Sequence, residues 1–244
     1  MTVASISYDP PATLKRFADA YQIGYPMLSD KGSTVIREYG ILNTNIPQGH
    51  PFYGIPFPGD YLIDANATVR DKQFLPNYET RPAASEVLLR DFGVAAGAPG
   101  LTISAGDVRA TITLSSDRAV PGRQLGVSAR FEIPTGWHIY GQPLPENYVA
   151  TGVEFDSETV SDQSLDFPKA TPVEFKSLGE TLPVYTGTVS AVGRILIRSG
   201  LKPGDYKLKG TLRFQECSDQ ICKLPQKIAF EIPIAIDAMV AGAK

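Results

Sequence analysis

The sequence predicts an α/β region over residues 1–93, followed by an all-β antiparallel sandwich over residues 101–238. The first region mixes strand-like runs with apolar residues at helical spacing, whereas the second holds short alternating runs broken by turn residues. Between them lies "VAAGAPG", residues 94–100, which is small and has no apolar periodicity, so it predicts a flexible linker. The last residues, 239–244, are expected to form a frayed tail.

Composition and charge exclude several classes of protein. The chain has 244 residues, of which 43% are apolar and 20% charged, with 22 Gly and 20 Pro, the balance of a turn-rich globular protein. A net charge of −3 leaves no basic surface for nucleic acid, so we expect no nucleic-acid partner. No apolar run approaches the ~20 residues that span a bilayer. The N-terminal stretch also lacks the pattern of a signal peptide.

The first region reads as a strand, two helices, a hairpin and a closing helix. "TVASISY" alternates as a strand does, and "PATLKRFADAYQI" places Leu14, Phe17, Ala18 and Tyr21 on one helical face. "SDKGSTVIREYGI" predicts a second, short helix. "GDYLIDANATVRDKQFL" predicts a hairpin, and "RPAASEVLLRDFGV" predicts the helix that closes the region.

These motifs carry a resemblance to one family. "ASISYDPPATLKRFADAYQIGYPMLSD", "VIREYGI" and "GIPFPGDYLIDANATVR" resemble the C-terminal half of a thioredoxin-like redoxin of the AhpC/TSA type, over residues 3–92. The resemblance implies an incomplete thioredoxin-like domain and a cis-proline at Pro58. The strand and helix that carry the family's catalytic cysteine have no counterpart here, so peroxidase activity is not expected. We expect either that Met1 is not the natural start or that another chain fills the gap in the sheet.

The second region predicts an immunoglobulin-like fold. Its strand-like runs are "VRATITLSS", "QLGVSARFEI", "HIYGQ", "GVEF", "GTVSAVGRILIRS", "GDYKLKGTLRFQEC" and "QKIAFEIPIAI". That number of short strands, separated by turn residues, favours an antiparallel β-sandwich of immunoglobulin-like type.

The two cysteines of the chain, Cys217 and Cys222, stand close together in "FQECSDQIC". As a structural staple, the short loop that they close would contribute only about 2 kcal/mol. A structural metal site needs three or four ligands, and with two cysteines and two histidines in the chain we expect none. A redox-active pair is the favoured interpretation, while a quiet structural disulfide stays open.

A second resemblance covers residues 101–236. "FQECSDQICKLP", "GWHIY" and "EFKSLGETLPVYTG" resemble the cysteine segment, the aromatic motif and the cap loop of the N-terminal (alpha) domain of DsbD-type thiol:disulfide interchange proteins. The resemblance implies thiol:disulfide exchange, with a thioredoxin-like domain or a transmembrane reductase as one partner and oxidised client proteins as the other. It implies a protein-disulfide reductase component in the periplasm, in electron transfer of the kind that serves cytochrome c biogenesis, with no cofactor besides the disulfide. The alternative is a non-catalytic interaction module.

The flanking residues give the two sulfurs unequal expected roles. Glu216 and Asp219 should disfavour a thiolate at Cys217, whereas Lys223 should favour one at Cys222. The family also uses its second cysteine to attack partners, so Cys222 is the expected exchanging thiol and Cys217 the resolving one.

Further residues around the pair are expected to shield or tune it. Glu216 and Asp219 are either solvated turn residues or groups that tune the thiols. The aromatic candidates either belong to the core or shield the disulfide; they are Trp137, His138, Tyr140 and Phe175.

Overall fold

The computed structural model describes residues 2–74, 81–82, 84–94, 100–175 and 179–238, and the chain forms two compact units, Met1–Glu79 and Thr80–Lys244. The first unit holds β1 (Ser5–Ser7), α1 (Pro11–Tyr21), β2 (Met27–Ser29), α2 (Thr34–Glu38), β3 (Gly59–Ile63) and β4 (Val69–Phe74). The second unit holds β5 (Arg81–Pro82), α3 (Ala84–Phe92), β6 (Leu101–Ala105), β7 (Val108–Leu114), β8 (Arg118–Ala119), β9 (Arg123–Glu132), β10 (His138–Tyr140), β11 (Gly152–Phe155), β12 (Val160–Asp166), β13 (Thr171–Phe175), β14 (Glu180–Tyr185), β15 (Thr188–Ile197), β16 (Gly204–Phe214), β17 (Glu216–Cys217) and β18 (Gln226–Ile236).

The first unit contains the predicted elements of a partial redoxin fold. Strands β1 and β2 pair in parallel, and β3 and β4 form the predicted antiparallel hairpin. Within the part of the chain that the structure describes, the two pairs remain separate two-stranded sheets. Helix α1 buries Leu14, whereas Phe17 and Tyr21 are about half exposed and pack on each other with ring centroids 4.6 Å apart.

The second unit is an antiparallel β-sandwich, which confirms the predicted immunoglobulin-like class. One sheet has the strand order β12-β15-β9-β7-β6, with the short β5 beside β9, and the facing sheet has the order β11-β16-β18-β8. Strand β7 shows the alternation that fills the core, because Val108, Ala110, Ile112 and Leu114 are buried while the residues between them are more exposed. Both sheets contribute to one apolar core.

A third, smaller sheet in the same unit contains Cys217 and residues that lie around the disulfide. Its strand order is β13-β14-β10-β17, and it buries a separate cluster made of Tyr140, Leu182, Val184 and Cys217. Strand β17 is held by pairing with β10, in a register that sets His138 opposite Cys217.

Helix α3 was expected to close the first region, but it belongs to the second unit and packs on strand β9 there. Glu86 on this helix is 1% exposed, and a Cβ placed on Gly126 of β9 would lie 3.0 Å from its Cα. Arg90, one turn later, donates to Glu86 Oε1 over 2.8 Å. The amphipathic pattern identified the helix, but it does not say which sheet the apolar face covers.

Candidate functional site

Cys217 and Cys222 form a disulfide across a tight turn. Their Cα atoms are 4.1 Å apart, and the two residues also form an isolated antiparallel bridge. Ser218 closes the turn, because its backbone N–H donates to the Ile221 carbonyl over 2.8 Å and its Oγ accepts from the Ile221 N–H over 3.2 Å. Both sulfurs are therefore held by a turn that has hydrogen bonds of its own.

The two cysteines differ in their access to solvent. Cys217 is 0% exposed and belongs to the buried cluster of the small sheet, whereas Cys222 is an exposed residue on the outer arm of the turn. A docking protein can reach Cys222, while the sandwich covers Cys217.

The phenol of Tyr140 contacts both sulfurs. Its O–H donates to Cys217 Sγ over 3.1 Å, and the oxygen lies 3.6 Å from Cys222 Sγ. Burial, together with the negative charge of Glu180 and the nearby Tyr148, raises the pKa of Tyr140 to about 12. The phenol therefore remains a hydrogen-bond donor at any physiological pH, and a donor at this position stabilises a sulfur that gains negative charge.

Aromatic rings surround this contact. The Tyr148 ring lies 5.1 Å from that of Tyr140, and its O–H donates to Glu180 Oε2 over 2.8 Å. Phe175, partly buried at the end of β13, packs on the cluster, with its ring 5.0 Å from that of His138. The paired strands β13 and β14 thus lie against the cluster beside the disulfide; residues 176–178 of the expected cap loop lie outside the described residues.

His138 is buried between two of these rings. It is 6% exposed, its ring lies 5.4 Å from that of Tyr140, and its Nε2 has no hydrogen-bond partner among the described residues. Burial lowers the pKa of His138 below its ordinary value, and the negative charge of Asp219 only partly opposes that effect. The imidazole is therefore neutral near pH 7.

Glu216 is not a solvated turn residue, so that expectation is wrong for it. Its side chain is 0% exposed, it accepts the Asp107 N–H over 3.1 Å, and its Oε1 lies 2.7 Å from Lys223 Nζ. The Lys223 ammonium also binds Asp107 Oδ2 over 2.7 Å and lies 4.2 Å from the centre of the Trp137 ring. These hydrogen bonds, to Asp107 first and then to Glu216, raise the pKa of Lys223. Since two carboxylates already engage this ammonium, access to solvent separates the two cysteines more directly than the charge of Lys223 does.

The structure brings together most of the predicted site residues. Five of them lie together at the disulfide: Cys217, Cys222, Tyr140, His138 and Phe175. Asp219 is exposed on the turn between the two cysteines, and Trp137 packs against the main core with Lys223 Nζ 4.2 Å from its ring centre.

Pro58 belongs to the first unit, and its expected cis peptide bond is not seen. Among the described residues, the cis bond lies between Gln142 and Pro143.

Sequence reasoning missed two contributors to the site, Tyr148 and Asp107. Tyr148 lies in a loop, "LPENYVATG", that carries no periodic pattern. Asp107 lies in the turn between β6 and β7 and contacts Glu216 across 109 residues of sequence. No local signal marks either of them.

The site is thus a disulfide between a buried sulfur and an exposed sulfur, beside an aromatic cluster of an immunoglobulin-like sandwich. Residues 110–233 match the family described as "Thiol:disulfide interchange protein DsbD, N-terminal", so the chain belongs to that family. Residues 1–72 match the AhpC/TSA family. The match over residues 110–233 places the chain among proteins of thiol–disulfide interchange.

Two individual relatives each resemble part of the chain. Peroxiredoxin Q, chloroplastic, is 35% identical over 77 residues in Gentiana triflora and 34% identical over 77 residues in Arabidopsis thaliana. Each match covers 30% of this chain, which spans only 33% of either relative.

Solved structures also match at low identity. The reduced DsbD N-terminal domain of Neisseria meningitidis is 20% identical with a TM-score of 0.32, over 45% of this chain and 81% of that one. The N-terminal periplasmic domain of ScsB from Proteus mirabilis is 18% identical with a TM-score of 0.43, over 56% of this chain and 51% of that one. Separately, none of the helices described here is long and apolar enough to cross a membrane.

Proposed function

We propose that the second unit exchanges disulfides with other proteins through Cys222, and that Cys217 resolves the mixed disulfide. The observation that carries this proposal is the unequal burial of the two joined sulfurs, with the O–H of Tyr140 donated to the buried one. Thiol–disulfide exchange requires one accessible thiolate and one resolving thiol at close range, and this pair meets both requirements.

The reaction proceeds in two displacements. In the dithiol form, the Cys222 thiolate attacks a client disulfide, forms a mixed disulfide and releases one client thiolate. Cys217 then loses its proton and attacks Cys222 Sγ, which restores the protein's disulfide and releases the second client thiolate. The client gains the two electrons that the dithiol loses, so no cofactor takes part.

The aromatic cap has a gating role in this scheme. Phe175 and Tyr148 pack on His138 and Tyr140, on the side of the buried sulfur, whereas Cys222 stays open to solvent. A docking partner would displace these rings and so uncover the inner sulfur. In place, they would slow attack by small thiols on the pair without preventing it.

The family match supports a proposal for the partners and the compartment. We assign a thioredoxin-like domain or a transmembrane reductase as the electron donor, oxidised proteins as clients, and the periplasm as the compartment. The redoxin-like unit would serve as a fused partner module. It holds no cysteine, so thiol chemistry in this chain takes place at Cys217 and Cys222.

Trapping with single-cysteine variants tests the proposal. The Cys217→Ser variant retains the exposed thiol and should accumulate a stable mixed disulfide with a thioredoxin-like protein, seen on a non-reducing gel. The Cys222→Ser variant is the matched control and should accumulate little. Equal trapping by the two variants, or trapping through Cys217 alone, would overturn the assignment of roles.

The reduction potential separates this function from a quiet structural disulfide in an interaction module. A pair that exchanges with thioredoxin-like proteins should have a potential near the thioredoxin value of about −270 mV. A value well below about −300 mV would mark a resistant structural bridge and would contradict the proposal.

A further inference from the structure

Resolution of the mixed disulfide requires that a fully buried thiol lose its proton. Cys217 is 0% exposed, and a low-dielectric environment disfavours a thiolate there. Water reaches this sulfur poorly, so a neighbouring side chain has to accept the proton. Few groups in the site can do so.

Tyr140 is the nearest polar group, and it is a donor. Its O–H already points at Cys217 Sγ over 3.1 Å. Since its pKa is raised to about 12, the phenol cannot act as a base at neutral pH. It can stabilise the thiolate once formed, but it cannot remove the proton.

His138 is a titratable side chain on the strand next to Cys217. It stands directly opposite Cys217 in the antiparallel pairing of β10 with β17, where facing Cβ atoms are about 4.5–5.5 Å apart. The contact from Tyr140, two residues along β10, shows that the Cys217 side chain lies on the same face of the sheet. The buried imidazole leaves its Nε2 without a hydrogen-bond partner among the described residues.

From this geometry we infer that His138 is the general base that accepts the Cys217 thiol proton as the mixed disulfide resolves. The inference rests on the proposed function. In the step, Cys217 Sγ–H transfers its proton to the imidazole, the sulfur attacks Cys222 Sγ, and the bond from Cys222 to the partner sulfur breaks. The partner leaves with the electron pair of that bond as a thiolate, and the imidazolium later returns its proton to solvent.

The groups that face the imidazole are compatible with this role. Tyr140 on β10 is neutral, Phe175 on β13 is apolar, and Asp219 on the cysteine turn is the carboxylate that bears on its charge. Glu216 on β17 is bound to Lys223 and Asp107. Burial keeps the imidazole in its neutral, proton-accepting form near pH 7, while Asp219 favours the imidazolium that forms.

A small disulfide reagent tests the base without any protein partner. Reduced protein reacts with dipyridyl disulfide in two observable steps, each releasing one thiopyridone: attack by Cys222, then resolution by Cys217. His138→Gln should leave the first step near the wild-type rate and slow the second by about 100-fold or more. The second step of the variant should recover as the pH rises, because hydroxide then removes the proton.

The other histidine provides a matched control. His50 is exposed in the first unit, so His50→Gln should leave both steps unchanged. In His138→Ala, added imidazole should restore part of the second step, whereas a purely structural role would show no rescue. Circular dichroism and thermal unfolding verify that both His138 variants are folded.

The outcomes are distinct. A second step that is unchanged in His138→Gln, with the wild-type pH profile, would overturn the inference, and so would equal slowing of both steps without rescue by imidazole. The wild-type protein could instead show both steps with the reagent but form no mixed disulfide with thioredoxin-like proteins. That result would contradict the proposed function, and the rates with the reagent would still decide the role of His138.

Discussion

A methyl group on Gly106 should displace the buried carboxylate that flanks the disulfide. Gly106 lies in the turn between β6 and β7 with φ at +59°, and a Cβ there would overlap the Glu216 carboxylate. Gly106→Ala would therefore force Glu216 away from the Asp107 N–H and from Lys223.

The expected cost has two parts. An L-residue in the left-handed region costs roughly 1–2 kcal/mol relative to glycine. Moving the carboxylate breaks a buried hydrogen bond to a charged group, which contributes about 1.5–3 kcal/mol. The sum for Gly106→Ala is about 2.5–5 kcal/mol of unfolding free energy.

A control variant isolates the second part. Gly187 has φ at +65°, and no atom lies within 4 Å of the place that a methyl group would take there, so Gly187→Ala has the backbone cost alone. Urea unfolding, followed by the fluorescence of the single tryptophan, Trp137, reports on the unit that holds both glycines. Gly106→Ala should be less stable than Gly187→Ala by about 1.5–3 kcal/mol. Equal stability of the two variants would refute the conclusion that the position of Glu216 contributes to folding.

Three further predictions concern Phe175 beside the disulfide, the phenol of Tyr140 and the buried Glu86 of helix α3. Full burial of a Phe side chain contributes ~1.5–3 kcal/mol, and Phe175→Ala should lose about half of this. Reduction of the disulfide by glutathione should therefore be about 3- to 10-fold faster in this variant. An equal increase in the neighbouring Glu174→Ala would contradict the shielding role. Tyr140→Phe should slow resolution about tenfold in stopped-flow measurements, because the nascent thiolate loses a donor worth at least about 1.5 kcal/mol, and an unchanged rate would show that the phenol is dispensable. Burial raises the pKa of Glu86 above its unfolded value, so the folded state binds this proton more tightly. Protonated Glu86 therefore contributes to stability at acid pH. That contribution is lost as the pH rises from about 4.5 through the higher folded pKa. Glu86→Gln should remove that part of the pH dependence of urea unfolding, and an identical profile would rule it out.

The disulfide pair could be predicted from the sequence more fully than the side chains that hold its loop in place. The alternation of the strands predicted the sandwich, because such local patterns report which residues share a face. The rings around the disulfide came from the family resemblance instead, in which "GWHIY" supplied His138 and Tyr140 and "EFKSLGETLPVYTG" supplied Phe175.

Contacts between distant segments were not predictable in the same way. Glu216 is followed directly by Cys217 in a polar stretch, and its burial depends on Asp107 and Lys223 enclosing it from a separate turn and from across the disulfide. Helix α3 has an apolar face that any sheet can cover, and packing against β9 decided which one did. Tertiary packing settles both features, and residue periodicity does not encode it.

The bonds from Glu216 to Lys223 have a kinetic consequence. These residues stand immediately outside the two cysteines, and the Lys223 N–H donates to the Glu216 carbonyl over 3.0 Å in addition to their ion pair. The loop is thus closed by bonds that do not involve sulfur, and opening the disulfide leaves its ends tied. In the proposed reaction, Cys217 would then lie close to any mixed disulfide on Cys222, at a high effective concentration, which would shorten the lifetime of the covalent complex with a partner.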